Sequence, residues 1–184
     1  MALRVVPCTI TDARIFVERH HSHHHAPVGG LCAVAVADET GVVCVAILSR
    51  PVARAFDRGT IAEVTRVAST GVEHAASKCV AAISRAALAL GYTRLVSSIL
   101  LGEAGTSYRA AGWWPTHVGE AVGEKWHSRT GRTVVQPGAK VRWEFGPDAL
   151  PRDPDVDARV RAAVGVVEVG GRPETLPLLM ALEP

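Results

Sequence analysis

The stretch from Thr60 to Leu100 constrains the fold more than any other part of the chain. Thr60–Ala68 (TIAEVTRVA) reads as a long strand whose polar members are Glu63, Thr65 and Arg66. Ser69–His74 is a loop. Ala75–Leu90 is Ala-rich, and Val80, Ile83, Ala87 and Leu90 recur at helical spacing, with Gly91 as the stop. Arg94–Leu100 (RLVSSIL) is again a strand pattern.

The flanking segments add to this frame. Leu3–Pro7 reads as a short strand. Thr9 or Thr11 can cap a helix carrying Ile10, Ala13, Ile15, Phe16 and Val17. Leu31–Ala37 and Val42–Leu48 form two strands joined by the hairpin turn Asp38–Gly41. The run from Arg50 to Gly59 is a polar connection. Thr106–Ala111 predicts a short helix stopped by Gly112, and Val141–Phe145 predicts a last strand. This order of elements predicts a mixed α/β (α+β) sheet. With 184 residues, 48% of them apolar, the expectation is one domain over residues 1–147 and an extension over 148–184. In that extension, Val156–Val169 reads as a helix or strand that packs back.

Composition narrows the function classes. The formal net charge of +2 means that any nucleic-acid affinity has to come from a local patch. Cys8, Cys32, Cys44 and Cys79 include no C-x-x-C pair, and three lie in apolar runs. Packed free thiols and a reducing cytoplasm are therefore expected. No signal peptide or membrane span is read from the sequence.

Several residues carry chemistry. Glu63 is a carboxylate in an apolar strand, so it must be paired, hydrated or functional. Simple alternation places Glu63, Thr65 and Val67 on one face and Ala62, Val64 and Arg66 on the other. That argues against a Glu63–Arg66 pair and leaves Arg54 as the structural alternative. Five histidines, His20, His21, His23, His24 and His25, fall within six residues. Such a cluster invites a metal, but no Cys or acid stands among them, so substrate contact is favoured over a metal site. Arg50, Arg54 and Arg58 frame a loop suited to phosphate or to a cleft rim; a solvated loop is the plain alternative. Lys125, Arg129, Arg132, Lys140 and Arg142 form a basic segment, with no acid between Lys125 and Arg142 and with Trp126, His127 and Trp143 interleaved. Such a segment fits a phosphate backbone and a stacked base.

Two motifs carry a family resemblance. The strand–loop–helix unit Thr60–Ala68, Ser69–His74 and Ala75 onward, and Tyr108-Arg109-Ala110-Ala111-Gly112-Trp113, resemble the GCN5-related N-acetyltransferase (GNAT) superfamily. Within it, the chain looks closest to small phage-encoded proteins of the Mom type, which modify adenine in phage DNA. That likeness rests on the His-rich run, Arg50-Pro51-Val52-Ala53-Arg54, Glu63-Val64-Thr65-Arg66, Glu103 to Trp113 and the basic segment. The resemblance implies a mostly antiparallel central sheet flanked by helices and an acetyl-CoA or other acyl-CoA donor. It implies a pyrophosphate cradle on backbone N–H groups at Val67, Ser69, Gly71, His74, Ala75 and Ser77, with Ser107 nearby. Tyr108 is implied as the acid that protonates the leaving thiolate, with Glu63 or His24 activating the amine. His21, His25, Arg50, Arg54, Lys125, Trp126, Arg129 and Arg132 are implied to face the substrate. DNA and acyl-CoA are the expected partners, with no membrane.

Three functions are carried forward. The first is modification of a nucleobase amine in DNA. The second is acetylation of a small-molecule or peptide amine, which needs Tyr108 but not the basic segment. The third is a non-catalytic nucleic-acid-binding module. Its best argument is that the Ser69–His74 loop has Gly71 as its sole glycine and Lys78 as its nearest lysine.

Overall fold

A computed structural model describes residues 2–21, 25–120 and 138–167. The basic residues Lys125 to Arg132, together with His23 and His24, lie outside the described residues. Strands β1 (Arg4–Cys8), β2 (Cys32–Asp38), β3 (Gly41–Ser49), β4 (Ile61–Ser69), β5 (Arg94–Leu100), β6 (Trp114–Val118) and β7 (Lys140–Phe145) form one sheet. Its order is β1-β2-β3-β4-β5-β7-β6. All neighbours are antiparallel except β4 and β5.

Helices α1 (Ile10–His20) and α2 (Ala75–Ala89) cover opposite faces. The Thr9 hydroxyl caps α1 by accepting from the Asp12 N–H at 3.1 Å. On the α1 face, Ala13 and Val17 pack with Ala35, Val45, Ile47 and Ala68. On the α2 face, Ala75, Cys79, Val80, Ile83 and Ala87 pack with Ala46, Leu48, Ala62, Val64, Leu95, Val141 and Trp143. Gly91, at φ 92°, ends α2, and the Tyr92 N–H closes the last turn onto the Ala87 carbonyl at 3.1 Å. A short helix α3 (Thr106–Ala110) and a longer α4 (Pro154–Val167) complete the fold. The segment at Val156 is thus helical. It packs against β6 and adds buried Val160 to the α2-side core. Among the described residues no helix is long and apolar enough to cross a membrane.

The register of β4 corrects the alternation read from sequence. Ile47 pairs with Arg66 and Leu48 with Val64, so Thr65 is an extra residue, a β-bulge. The bulge resets the period. Glu63, Arg66 and Ala68 share the α1 face, whereas Val64 and Val67 share the α2 face. Glu63 and Arg66 are therefore neighbours rather than residues of opposite faces, and each feels the other's charge.

Candidate active site

Parallel strands β4 and β5 pair only at Ile61–Arg94, Ala62–Leu95 and Glu63–Val96. Beyond that point they part, and among the described residues the β5-facing edge of β4 from Val64 to Ser69 has no strand partner. The opening is part of a cleft of about 1360 Å³. Val67, Ser69, Ala76, Ile99, Ser107 and Tyr108 line it, as do Glu63, Arg66, Arg54 and Lys140.

Tyr108 enters from α3. Its ring packs edge-on against Trp113, with centroids 5.4 Å apart, and tilted against Trp143 at 5.8 Å. The Trp113 indole donates to Ser84 Oγ at 2.9 Å, which locks that wall. Gly105 precedes α3 at φ 60°, and a Cβ there would lie 2.2 Å from the Trp143 ring. Only glycine lets α3 approach this closely. Ser97 Oγ donates to the Val64 carbonyl at 2.8 Å, so Tyr108 Oη is the donor in its 2.7 Å bond to Ser97 Oγ. Tyr108 is 8% exposed, and burial pushes its hydroxyl up to about 12. The Ser97 hydrogen bond offsets part of that rise. Tyr108 consequently keeps its proton at any physiological pH.

Glu63 reaches the same cleft from the other face. Its Oε2 accepts from the Val52 N–H at 2.7 Å. Desolvation raises its pKa, against the Val52 bond and the charges of Arg66 and Lys140. Such a carboxyl is closer than a free one to the proton affinity that a general base needs near neutrality. After burial, the charges of Glu103 and Glu63 also raise Tyr108.

The loop that supplies the Val52 N–H is anchored from β7. Glu144 is fully buried, receiving Arg94 at 2.7 and 2.8 Å, Arg142 at 2.9 Å and Thr116 Oγ1 at 2.9 Å. Burial alone would raise its pKa; these bonds and the Leu150 N–H outweigh burial and lower it. The Arg94 and Arg142 guanidiniums also lie over the Phe56 ring, at 5.4 and 5.0 Å from its centroid. Phe56 ends the 3-10 turn Arg54–Phe56, so this cation–π pair holds the turn over the cleft. Arg142, counted by sequence within an acid-free basic segment, thus has Glu144 as its counter-charge.

The N-terminus of α2 opens beside the parted strands. His74 caps it in the left-handed region at φ 62° with no side-chain capping bond; its ring lies on Glu73 at 3.3 Å, and the first turn itself holds no acid. The Ala75 N–H reaches the Val72 carbonyl at 3.2 Å, while those of Ala76 and Ser77 have no acceptor among the described residues. Gly71, at φ 93°, turns the loop. These free amides suit an anion such as a pyrophosphate. Lys78 does not line the cleft, and its Nζ donates to the Leu3 carbonyl.

The other expected site residues are distributed as follows. His21 and Arg54 line the cleft. His25 has its ring on Glu18 at 3.1 Å, and its carbonyl accepts from Arg66 Nε at 3.0 Å. Arg50 is exposed beside the turn. His24, Lys125, Trp126, Arg129 and Arg132 are outside the described residues. Among those described, no group of His, Cys, Asp and Glu could hold a metal ion. The four cysteines are free thiols, and burial raises Cys8 and Cys32. Two residues were missed by sequence reasoning. Ser97 was legible as a polar residue in an apolar strand, which needs a partner when buried. Phe56 carried no comparable signal.

No family model matches the sequence, and no curated protein matches it. Solved structures do share its fold. A GNAT-superfamily phosphinothricin acetyltransferase from Sinorhizobium meliloti, in complex with acetyl-CoA, aligns at TM-score 0.58 and 15% identity. The match covers 84% of this chain and 95% of that one. The Drosophila melanogaster polyamine N-acetyltransferase, which forms N-acetylagmatine, aligns at TM-score 0.58 and 9% identity, covering 79% and 100%. The ribosomal-protein-alanine N-acetyltransferase of Brucella melitensis aligns at 0.55 and 13% identity, covering 78% and 99%. The seven-stranded, mostly antiparallel sheet flanked by helices is the fold of these acetyltransferases, as expected from the sequence.

Proposed function

We propose that this chain, built on the acetyltransferase fold, is an N-acyltransferase that moves an acyl group from acyl-CoA to an amine. The observation that carries the reading is the convergence of Glu63 and Tyr108 on one cleft from opposite faces of the sheet. An acyl-CoA would supply an activated thioester. The free N–H groups of Ala76 and Ser77 suit its pyrophosphate, and the unpaired edge of β4 suits the amides of its pantetheine arm. Val67, Ser69 and Ser107 line the path between them. A cleft of about 1360 Å³ is roomier than a typical single-ligand pocket, which suits a donor and an acceptor together.

In this scheme the amine nitrogen bonds the acyl carbon and the carbon–sulfur bond breaks. Glu63 takes the proton from nitrogen. The Tyr108 hydroxyl, its proton turning from Ser97 Oγ to the departing sulfur, hydrogen-bonds the charge that develops there, and the thiolate leaves and takes its proton from water. Holding the two reactants side by side supplies much of the acceleration.

The neighbours named above bear the names of small-molecule and protein amine acceptors. A small-molecule or peptide amine is therefore the acceptor of this proposal. Modification of a nucleobase in DNA, implied by the Mom-type resemblance, has the sequence motifs alone behind it. Calorimetric titration with acetyl-CoA tests the reading. One site per chain is expected, weakened by Ala76→Pro, which removes one of the two free amides. No binding to the folded wild type would favour a non-catalytic module.

A further inference from the structure

Side-chain alternation sorts the right half of the sheet by charge. On β5, Leu95 and Ile99 face the α2 core, so Arg94, Val96 and Ser98 face the other way. On β7, Val141 and Trp143 face the α2 core, so Lys140, Arg142 and Glu144 face the other way. Helix α1 packs on β2, β3 and β4. Over β5 and β7 the α1 face is roofed by the turn Arg54–Phe56, through Phe56. This face carries Arg66, Arg94, Lys140 and Arg142, with Arg54 above them. Its acids on β4, β5 and β7 are Glu63 and Glu144.

Glu103, whose Oε2 accepts from the Leu100 N–H at 3.2 Å, also lines the cleft, so the four cations there, Arg54, Arg66, Lys140 and Arg142, outnumber the carboxylates Glu63 and Glu103. Buried Glu144 is occupied by Arg94 and Arg142. Glu63 and Arg66 influence each other. Arg54 and Lys140 line the cleft and make no ion pair among the described residues. The donor does not need them, because the amides suited to its pyrophosphate lie at the N-terminus of α2, on the opposite face. A cationic wall also favours the neutral form of a nearby amine, the form that can attack. Conversely, it repels acceptors that carry a second positive charge.

We infer that the acceptor is an amine that also bears an anionic group, a phosphate or a carboxylate, held by Arg54 and Lys140 beside Glu63. The inference rests on the acyl-transfer reading for the fate of the amine, but the anion subsite stands or falls by binding alone.

The test compares two pairs of amines, O-phosphoethanolamine with ethanolamine and glycine with glycinamide. Binding to the full chain is measured calorimetrically at low and high salt, for wild type and the double variant Arg54→Gln/Lys140→Gln. Both side chains are exposed, and a thermal melt confirms that the variant is folded. At least one anionic amine is expected to bind about 10-fold or more tightly than its neutral partner, as for charge-assisted hydrogen bonds. That preference should shrink with salt and fall to within about 2-fold in the double variant, with neutral-amine binding unchanged. Selection of phosphate over carboxylate, or the reverse, identifies the group, and either supports the inference. Equal affinity for charged and neutral partners would overturn it, as would a preference that survives the double substitution. Tight binding of a single-stranded oligonucleotide with none of either small anion would overturn it in favour of nucleic acid. Selective anion binding without acetyl transfer from acetyl-CoA would leave the subsite standing and sink the acyl-transfer reading.

Discussion

Replacing Tyr108 with Phe deletes one hydroxyl and keeps the ring between Trp113 and Trp143. No cavity is created, so the stability cost is that of one hydrogen bond. Ser97 Oγ still donates to the Val64 carbonyl but loses the 2.7 Å bond it accepts. Such a loss costs about 0.5–1.5 kcal/mol. For a chain of this size that lowers the Tm by roughly 1–6 °C. The effect on turnover should be far larger, about 10²–10⁴-fold in kcat if the hydroxyl acts on the leaving sulfur. Because Tyr108 is pushed up to about 12, it stays protonated through the assay range. It is then a weaker acid than a thiol at ~8.5, so it acts by hydrogen-bonding the sulfur as charge develops there. The wild-type profile should accordingly show no alkaline fall from this group below about pH 12. The Phe variant should give the same profile shape at lower height. The assay is thiol release from acetyl-CoA with an accepting amine, alongside a thermal melt. A folded Phe variant that turns over within about threefold of wild type, against the range expected for general acids, would refute the role.

Three further perturbations separate function from stability. Burial raises Glu63, so its ionisation weakens the fold as pH climbs from its unfolded value through the folded one. Glu63→Gln removes that loss; melts against pH should show equal or higher stability than wild type near neutrality, while acyl transfer falls by about 10²-fold or more. Gly105→Ala forces a Cβ against the Trp143 ring at a left-handed φ, and urea unfolding should report a loss of at least about 1–3 kcal/mol together with reduced turnover as α3 shifts. Glu144 has a lowered pKa, so its contribution is present above its unfolded value and lost as pH falls through the folded one. Glu144→Gln leaves two guanidiniums without their counter-charge and should cost about 3–5 kcal/mol at neutral pH, with that acid-dependent loss removed.

The centre of the fold was legible because β4, α2 and β5 each carry their own periodicity and Gly91 supplies an unambiguous stop. Strand β6 was not, because Pro115 and His117 interrupt its pattern. As an edge strand it tolerates both a proline and the register shift seen there. The Thr65 bulge was invisible to counting by twos, and it decides which face Glu63 and Arg66 occupy. Tyr108 was singled out by its motif and its spacing from Gly112; Ser97 stood out as a polar residue in an apolar strand, but its pairing with Tyr108 needed three dimensions. The same holds for Phe56, whose ring is held by Arg94 and Arg142 from distant strands. Charge counting along the chain read Arg142 as unopposed because it stopped two residues short of Glu144.

The claim at the centre of this account is that one protein couples thioester cleavage to amine acylation. The most direct measurement incubates the protein with acetyl-CoA and an amine panel that includes O-phosphoethanolamine and glycine. Free thiol and acetylated amine are quantified in the same sample by absorbance and mass spectrometry. The account predicts that thiol and N-acetyl product appear in equal amounts, at a rate that falls together for both in Tyr108→Phe and Glu63→Gln. Thiol release at the same rate with and without an amine, or no release from a protein that binds no acetyl-CoA, would contradict it.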